Sequence, residues 1–172
     1  AIQADGKIVV VGRVNSGTEG QQVNFGIARY HSNGVLDITF SGDGKQITNF
    51  GVNGYGNEVV VQPDGKIVVV GTTITIVDGL NKGNFAIARY TPTGTLDPTF
   101  SGDGKQSTDL YGEHDGALAA VLQPDGKLLV AGITGRPGSN FNYGLARYNV
   151  NGSLDLSFSG DGKQEKDIGG YD

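Results

Sequence analysis

The chain contains no cysteine among its 172 residues, which excludes disulfides, thiolate metal sites and cysteine nucleophiles. Redox compartment stays open on that ground. Histidine is nearly absent as well: His31 and His114 are the only two, and a zinc site of the His/Cys kind lacks its third ligand. No apolar run approaches the ~20 residues a membrane helix needs. The longest, around 67–70, is strand-sized, so a soluble chain without membrane insertion is expected. No stretch sustains a helical apolar period either. Basic residues number 13 against 18 acidic ones, for a net charge of −5, and they are scattered. Phosphate backbones need a basic face, so nucleic acid is not an expected partner. The first residue is Ala1 and no signal sequence is visible; any targeting segment is expected to have been removed or to lie outside this stretch.

Glycine, in contrast, is abundant, with 30 residues where ~7% of a chain is usual. The glycines follow no collagen period and fall between short β-branched runs, which reads as tight turns joining short strands. An eleven-residue motif organises the pattern: LDITFSGDGKQ at 36–46, LDPTFSGDGKQ at 96–106 and LDLSFSGDGKQ at 154–164. The copies start 60 and 58 residues apart, so the chain is an internal repeat.

The second repeat is the most complete. EVVVQ at 58–62 runs into Pro63-Asp64-Gly65 and then KIVVVGTT at 66–73, a hairpin signal in which Pro presets φ and Gly takes the positive-φ position. The same hairpin recurs at 3–7 and 123–127. A variable loop follows at 73–83. NFAIARY at 84–90 then alternates Phe85, Ile87 and Arg89 with Ala86, Ala88 and Tyr90, a strand with one small-residue face for close packing. A last strand is expected from Lys105 to about Leu110. Four strands per repeat give twelve in all. The expected fold is all-β, three four-stranded antiparallel propeller blades of about 60 residues, with repeats at 1–50 (first strand truncated), 51–110 and 111–172.

QPDGK, NFAIARY, LDPTF and GDGK together resemble the delta-60 repeats, bacterial tandem repeats regarded as β-propeller blades, and all three repeats carry the resemblance. It implies a secreted or surface-exposed bacterial protein and no defined chemistry. Three blades are fewer than the ~4–8 that close a ring. The chain is therefore expected to be part of a larger propeller, or to be completed by association of copies; two copies would supply six blades.

The recurring motifs read as scaffold. A phosphate loop needs four residues between its glycines and a Ser or Thr after GK, whereas Gln follows GDGK here. Calcium loops need several alternating carboxylates, and each copy offers one Asp with a second six residues earlier, at Asp37, Asp97 or Asp155. Plain Asp-Gly turns are expected, with no cofactor. Arg29, Arg89 and Arg147 recur beside those earlier aspartates and suggest structural Arg–Asp pairs. Phe40, Phe100 and Phe158, with Phe25, Phe85 and Tyr143, suggest a core between blades. Glu113 and Asp115 read as solvated turn residues, and no GxSxG elbow is present.

A meander places successive turns at alternate ends of a blade. The QPDGK turn and the LDxxFSGDGK connection share a uniform end. The opposite end carries the connections that differ: 14–23, 73–83 and 134–141 within blades, with 48–57 and 108–116 between them. Recognition normally sits on loops carried by a rigid scaffold, so candidate binding residues are Tyr55, Tyr111, Glu113, His114 and Arg136. The expected function is a non-enzymatic structural or interaction module of an extracellular or cell-surface bacterial protein, acting in scaffolding, adhesion or assembly. Its expected partners are further repeats or other copies, with a protein or glycan ligand as a further candidate. The alternative is a glycan- or calcium-dependent, lectin-like module using the variable end; a propeller enzyme stands third.

Overall fold

The computed structural model describes residues 1–16, 22–111, 114–135 and 141–167. Every regular element among them is a β-strand, and the strands form three antiparallel sheets in which spatial order follows chain order. Blade 1 holds β1 (Ile8–Ser16), β2 (Gln22–Tyr30) and β3 (Lys45–Thr48). Blade 2 holds β4 (Asn53–Val61), β5 (Ile67–Val77), β6 (Leu80–Tyr90) and β7 (Lys105–Thr108). Blade 3 holds β8 (Gly116–Leu122), β9 (Leu128–Gly135), β10 (Phe141–Tyr148) and β11 (Lys163–Lys166).

Among the described residues there are eleven strands rather than twelve. The missing one is the first of blade 1, represented by a single bridge between Ile2 and Ile8 and by the Ala1 carbonyl, which accepts from the Val9 amide at 2.9 Å. The two or three residues available there cannot build a ladder. The fourth strands are also shorter than expected, β7 stopping at Thr108 rather than Leu110.

The stretch 73–83 is a second correction. It is not a loop: β5 and β6 stay paired out to Val77↔Leu80, and only Asp78-Gly79 turn the chain. Both have positive φ, 53° and 76°, the primed-turn geometry for which Asp-Gly is suited. The dipeptide was a readable hairpin signal, obscured because the other repeats have nothing like it.

Blade 2 is buried on both faces. Val68, Val70, Phe85, Ile87 and Phe100 join Leu128, Val130, Ala146 and Tyr148 of blade 3 in one core. Ile67, Val69, Ala86, Ala88 and Tyr90 join Val9, Phe25, Ile27 and Phe40 of blade 1 in the other. The alternation in NFAIARY thus divides one strand between two interfaces, its small-residue face sharing a core with Phe25, which lies close to Gly54 and Gly56 of β4. Burying one such Phe is worth about 1.5–3 kcal/mol. The main contacts between sheets come from the first strand of the later blade, β4 against β1 and β2, and β8 against β4, β5 and β6.

Candidate functional site

At the uniform end each repeat builds the same polar cluster. Arg29 Nε donates to Asp37 Oδ2 at 2.8 Å, Arg89 Nε to Asp97 Oδ2 at 2.9 Å, and Arg147 Nε to Asp155 Oδ2 at 2.6 Å. The expected Arg–Asp pair therefore forms three times. The lysine of each PDGK-type turn joins it, Lys7, Lys66 and Lys127 lying 3.6, 3.3 and 2.9 Å from the same carboxylates. Thr39, Thr99 and Ser157 donate their hydroxyls to the other carboxylate oxygen. Each guanidinium also stacks on the phenylalanine of LDxxF, 4.7 to 4.8 Å from the ring centroids of Phe40, Phe100 and Phe158.

These donors hold the carboxylates ionised. The Thr39 hydroxyl is the main influence keeping Asp37 well below the usual range, with the Arg29 charge adding to it. Burial pushes Asp97 up, but Thr99, Arg89 and Lys66 outweigh it and leave it at about 2. Lys127 and Ser157 do the same for Asp155, well below the usual range. Within each cluster the arginine and lysine charges are opposed by the aspartate; in blade 1 the exposed His31 also lies beside it, its Nε2 3.7 Å from Asp37 Oδ1. The GDGK stretches are turns, in which the Lys45, Lys105 and Lys163 amides each donate to the preceding Asp Oδ1 at 2.9 Å.

The variable end is different. A cleft of about 210 Å³ opens between blades 2 and 3, walled by Tyr55, Asn81, His114 and Phe141, with Thr72 and Asp115 deeper in. The rings of His114 and Phe141 lie 6.2 Å apart at 54°. Asp115 is 2% exposed, which corrects its reading as a solvated turn residue. Its position just ahead of β8 carries it inward: the Leu110 amide donates to Oδ2 at 2.6 Å and the Thr134 hydroxyl to Oδ1 at 2.5 Å. Burial raises its pKa, and those two hydrogen bonds only partly offset the effect. Both oxygens are engaged, so Asp115 ties β8 and β9 to the end of the preceding blade rather than facing a ligand.

Of the sequence-derived candidates, Tyr55 and His114 are brought together in this cleft. Tyr111 is not in its lining; it is half-buried against the core between blades 2 and 3, with Lys163 Nζ 5.5 Å from its ring centroid. Glu113 and Arg136 lie outside the described residues. Asn81 and Phe141 were not among the candidates, since their place in the wall depends on the length of the β5–β6 hairpin and on the start of β10. The Oε1 atoms of Gln3, Gln62 and Gln123 were also missed. They are buried without a hydrogen-bond partner among the described residues, and they recur ahead of each Asp-Gly turn. That recurrence was a visible signal. Among the described residues no three His, Asp or Glu side chains gather as a metal site, and no helix is long and apolar enough to cross a membrane.

Repeated antiparallel meanders stacked face to face through shared cores define blades of the propeller type. The chain belongs to the family described as a domain of unknown function (DUF5122) of β-propeller kind, whose model matches residues 3–40, 62–100 and 123–158. Each match runs from the glutamine ahead of the Asp-Gly turn to the phenylalanine that the arginine stacks on. Among curated proteins no sequence matches the chain.

Proposed function

We propose that the chain is a non-enzymatic structural and interaction module, a run of blades acting in scaffolding or assembly. The observation that carries this reading is the use to which the recurring polar residues are put. In every repeat arginine and lysine are paired with the same aspartate, and Arg29 and Arg89 also tie their blade to the next. Such use commits the recurring charged residues of the uniform end to structure. The resemblance to delta-60 repeats supports a bacterial origin and an extracellular or cell-surface setting.

A glycan-binding, lectin-like role is the second reading, favoured by one feature. The cleft at the variable end combines the aromatic faces of Tyr55 and Phe141 with the polar groups of Asn81 and His114, and pockets of that composition take small polar ligands with an apolar face. A glycan array with the full chain, paired with thermal melts with and without calcium, separates the two. The scaffold reading expects no glycan signal and an unchanged midpoint. A glycan hit lost in Tyr55→Ala and His114→Ala would replace it with the lectin reading.

A further inference from the structure

The two outer faces of the stack carry the two halves of a junction that the chain already makes twice. Between blades 1 and 2, Arg29 Nη1 donates to the Pro92 carbonyl at 2.6 Å and the Ser41 amide to the Thr93 carbonyl at 2.7 Å. Gly94 lies so close to Phe40 that a Cβ there would come within 2.9 Å of the ring. Between blades 2 and 3, Arg89 Nη1 donates to the Val150 carbonyl at 2.5 Å and the Ser101 amide to the Asn151 carbonyl at 2.8 Å. Gly152 meets Phe100 in the same way, at 3.0 Å.

A third set of these groups is present but divided. Blade 3 offers Arg147, Ser159 and Phe158; blade 1 offers the carbonyls of Ser32 and Asn33 and the open turn at Gly34. That turn is closed by the same hydrogen bond as its counterparts, Gly34 N to His31 O at 2.9 Å, and nothing lies within 4 Å of a Cβ built on Gly34. Among the described residues Arg147 Nη1 and the Ser159 amide have no acceptor, whereas their counterparts do. The apolar surfaces divide in the same manner. Tyr143 on blade 3 is 56% exposed where Phe25 and Phe85 are at 0%, and Val10 on blade 1 is 50% exposed where Val69 is at 0%. Val10 lines a hollow of about 520 Å³ with Gly26, Ala28 and Ile47. In blade 2 the corresponding Val69, Ala86 and Ala88 share one core with Phe25 of the blade before it, Phe25 and Val69 both lying close to Gly56 of β4.

We propose that a second copy of this chain docks head to tail, its blade 1 on blade 3 of the first, in the register of the internal junctions. Arg147 then donates to the Ser32 carbonyl of the second copy, the Ser159 amide to its Asn33 carbonyl, Phe158 packs on Gly34, and Tyr143 enters the Val10 hollow. The inference rests on the scaffold reading above and names its partner surface. Two features depart from the template. The first strand, which makes the main contacts at both internal junctions, is reduced in blade 1 to the Ile2 bridge, so the docked junction rests on the turn at Gly34 and on the Val10 hollow. Lys166 stands where Thr48 and Thr108 stand, so Tyr30 meets an amine instead of the hydroxyl that Tyr90 meets at 2.6 Å. Two copies joined at both ends carry six blades, inside the ~4–8 that propellers use.

Because the surfaces differ, the contact is heterologous and has its own diagnostic. Val10→Asp blocks only the blade 1 face and Tyr143→Asp only the blade 3 face. Both side chains are exposed in the single chain, so each variant should match the parent's melting midpoint at concentrations low enough to dissociate the parent, and fall below it where the parent associates. Sedimentation across the micromolar range should show the parent as a dimer or larger and each variant weakened roughly tenfold or more in Kd. A mixture of the two variants should regain association, since one intact junction remains between them. A monomeric parent, or variants that associate no better mixed than alone, would overturn the head-to-tail contact. Neither result touches the scaffold reading, which the glycan array tests separately.

Discussion

Arg89 is almost sealed, with Nε on Asp97, Nη1 on the Val150 carbonyl, Nη2 on Thr99 and its guanidinium over Phe100. Removing one partner of a buried ion pair costs about 3–5 kcal/mol. Arg89→Ala should fall at the low end, about 3 kcal/mol by urea unfolding, because Lys66 still lies 3.3 Å from Asp97. Arg147→Ala should cost less than half as much, since its side chain is 21% exposed at the open face and solvent screens the pair. The two kinds of buried carboxylate also predict opposite pH behaviour. Asp37, Asp97 and Asp155 are depressed, so the unfolded chain binds protons more readily. Their stabilisation is present above pH ~4 and is lost as pH falls through the folded values, about 2 for Asp97. Asp115 is raised by burial, so its charged form penalises the fold above its folded pKa, and the penalty is relieved on acidification toward ~4. Asp115→Asn keeps partners for Leu110 and Thr134 and should flatten that part of the pH–stability curve, as urea midpoints measured from pH ~7 to ~4 would show. The Arg–Asp pair was legible in the sequence because both residues recur at constant spacing. The burial of Asp115 was not, because it occurs once and its neighbours are polar.

At the scale of elements, the first and second strands of blades 2 and 3 meet at a β-bulge, with register shifts at Gly56/Glu58 and Ala117/Ala119. The bulge brings one backbone over the next: a Cβ on Gly71 would meet the Tyr55 carbonyl at 2.0 Å, and one on Gly132 the Gly116 carbonyl at 1.9 Å. Gly12, the counterpart in blade 1, has nothing within 4 Å, because the strand that would cross it is reduced to the Ile2 bridge. Gly71→Ala and Gly132→Ala should each cost roughly 2–3 kcal/mol in thermal unfolding, while Gly12→Ala should stay within about 0.5 kcal/mol of the parent. The three glycines look alike in sequence, each following a run of four apolar residues. Strand existence was readable from period-two patterns and turn chemistry. The hairpin at Asp78-Gly79 was not readable by recurrence, because it does not recur. The fourth strands do recur, and each ends after four residues, at Thr48, Thr108 and Lys166, short of the expected Leu110 in blade 2.

For the whole molecule, the decisive arrangement is that blade 2 contributes to both cores. Stability in such arrays is shared between neighbours, so the described blades should unfold together. Phe85→Ala, which empties the centre of the core between blades 2 and 3, should lower stability by about 3–5 kcal/mol. It should keep one urea transition whether read by far-UV circular dichroism or by tyrosine fluorescence. Two separated transitions would show that the blades fold independently.

By itself the sequence determined the all-β class, the threefold repeat, the turns at the uniform end and the pairing of Arg with Asp. All of these rest on local spacing, and a local rule repeated three times is readable along the chain. Only the tertiary structure decided which face of each strand meets which neighbour, that Tyr55 and His114 share a cleft while Tyr111 stands apart, and that Asp115 is buried. The same holds for the unpaired groups of blades 1 and 3 that match one another. Contacts between residues some 60 positions apart depend on how one sheet sits on the next, and that relation is a property of packing which no single stretch of sequence encodes.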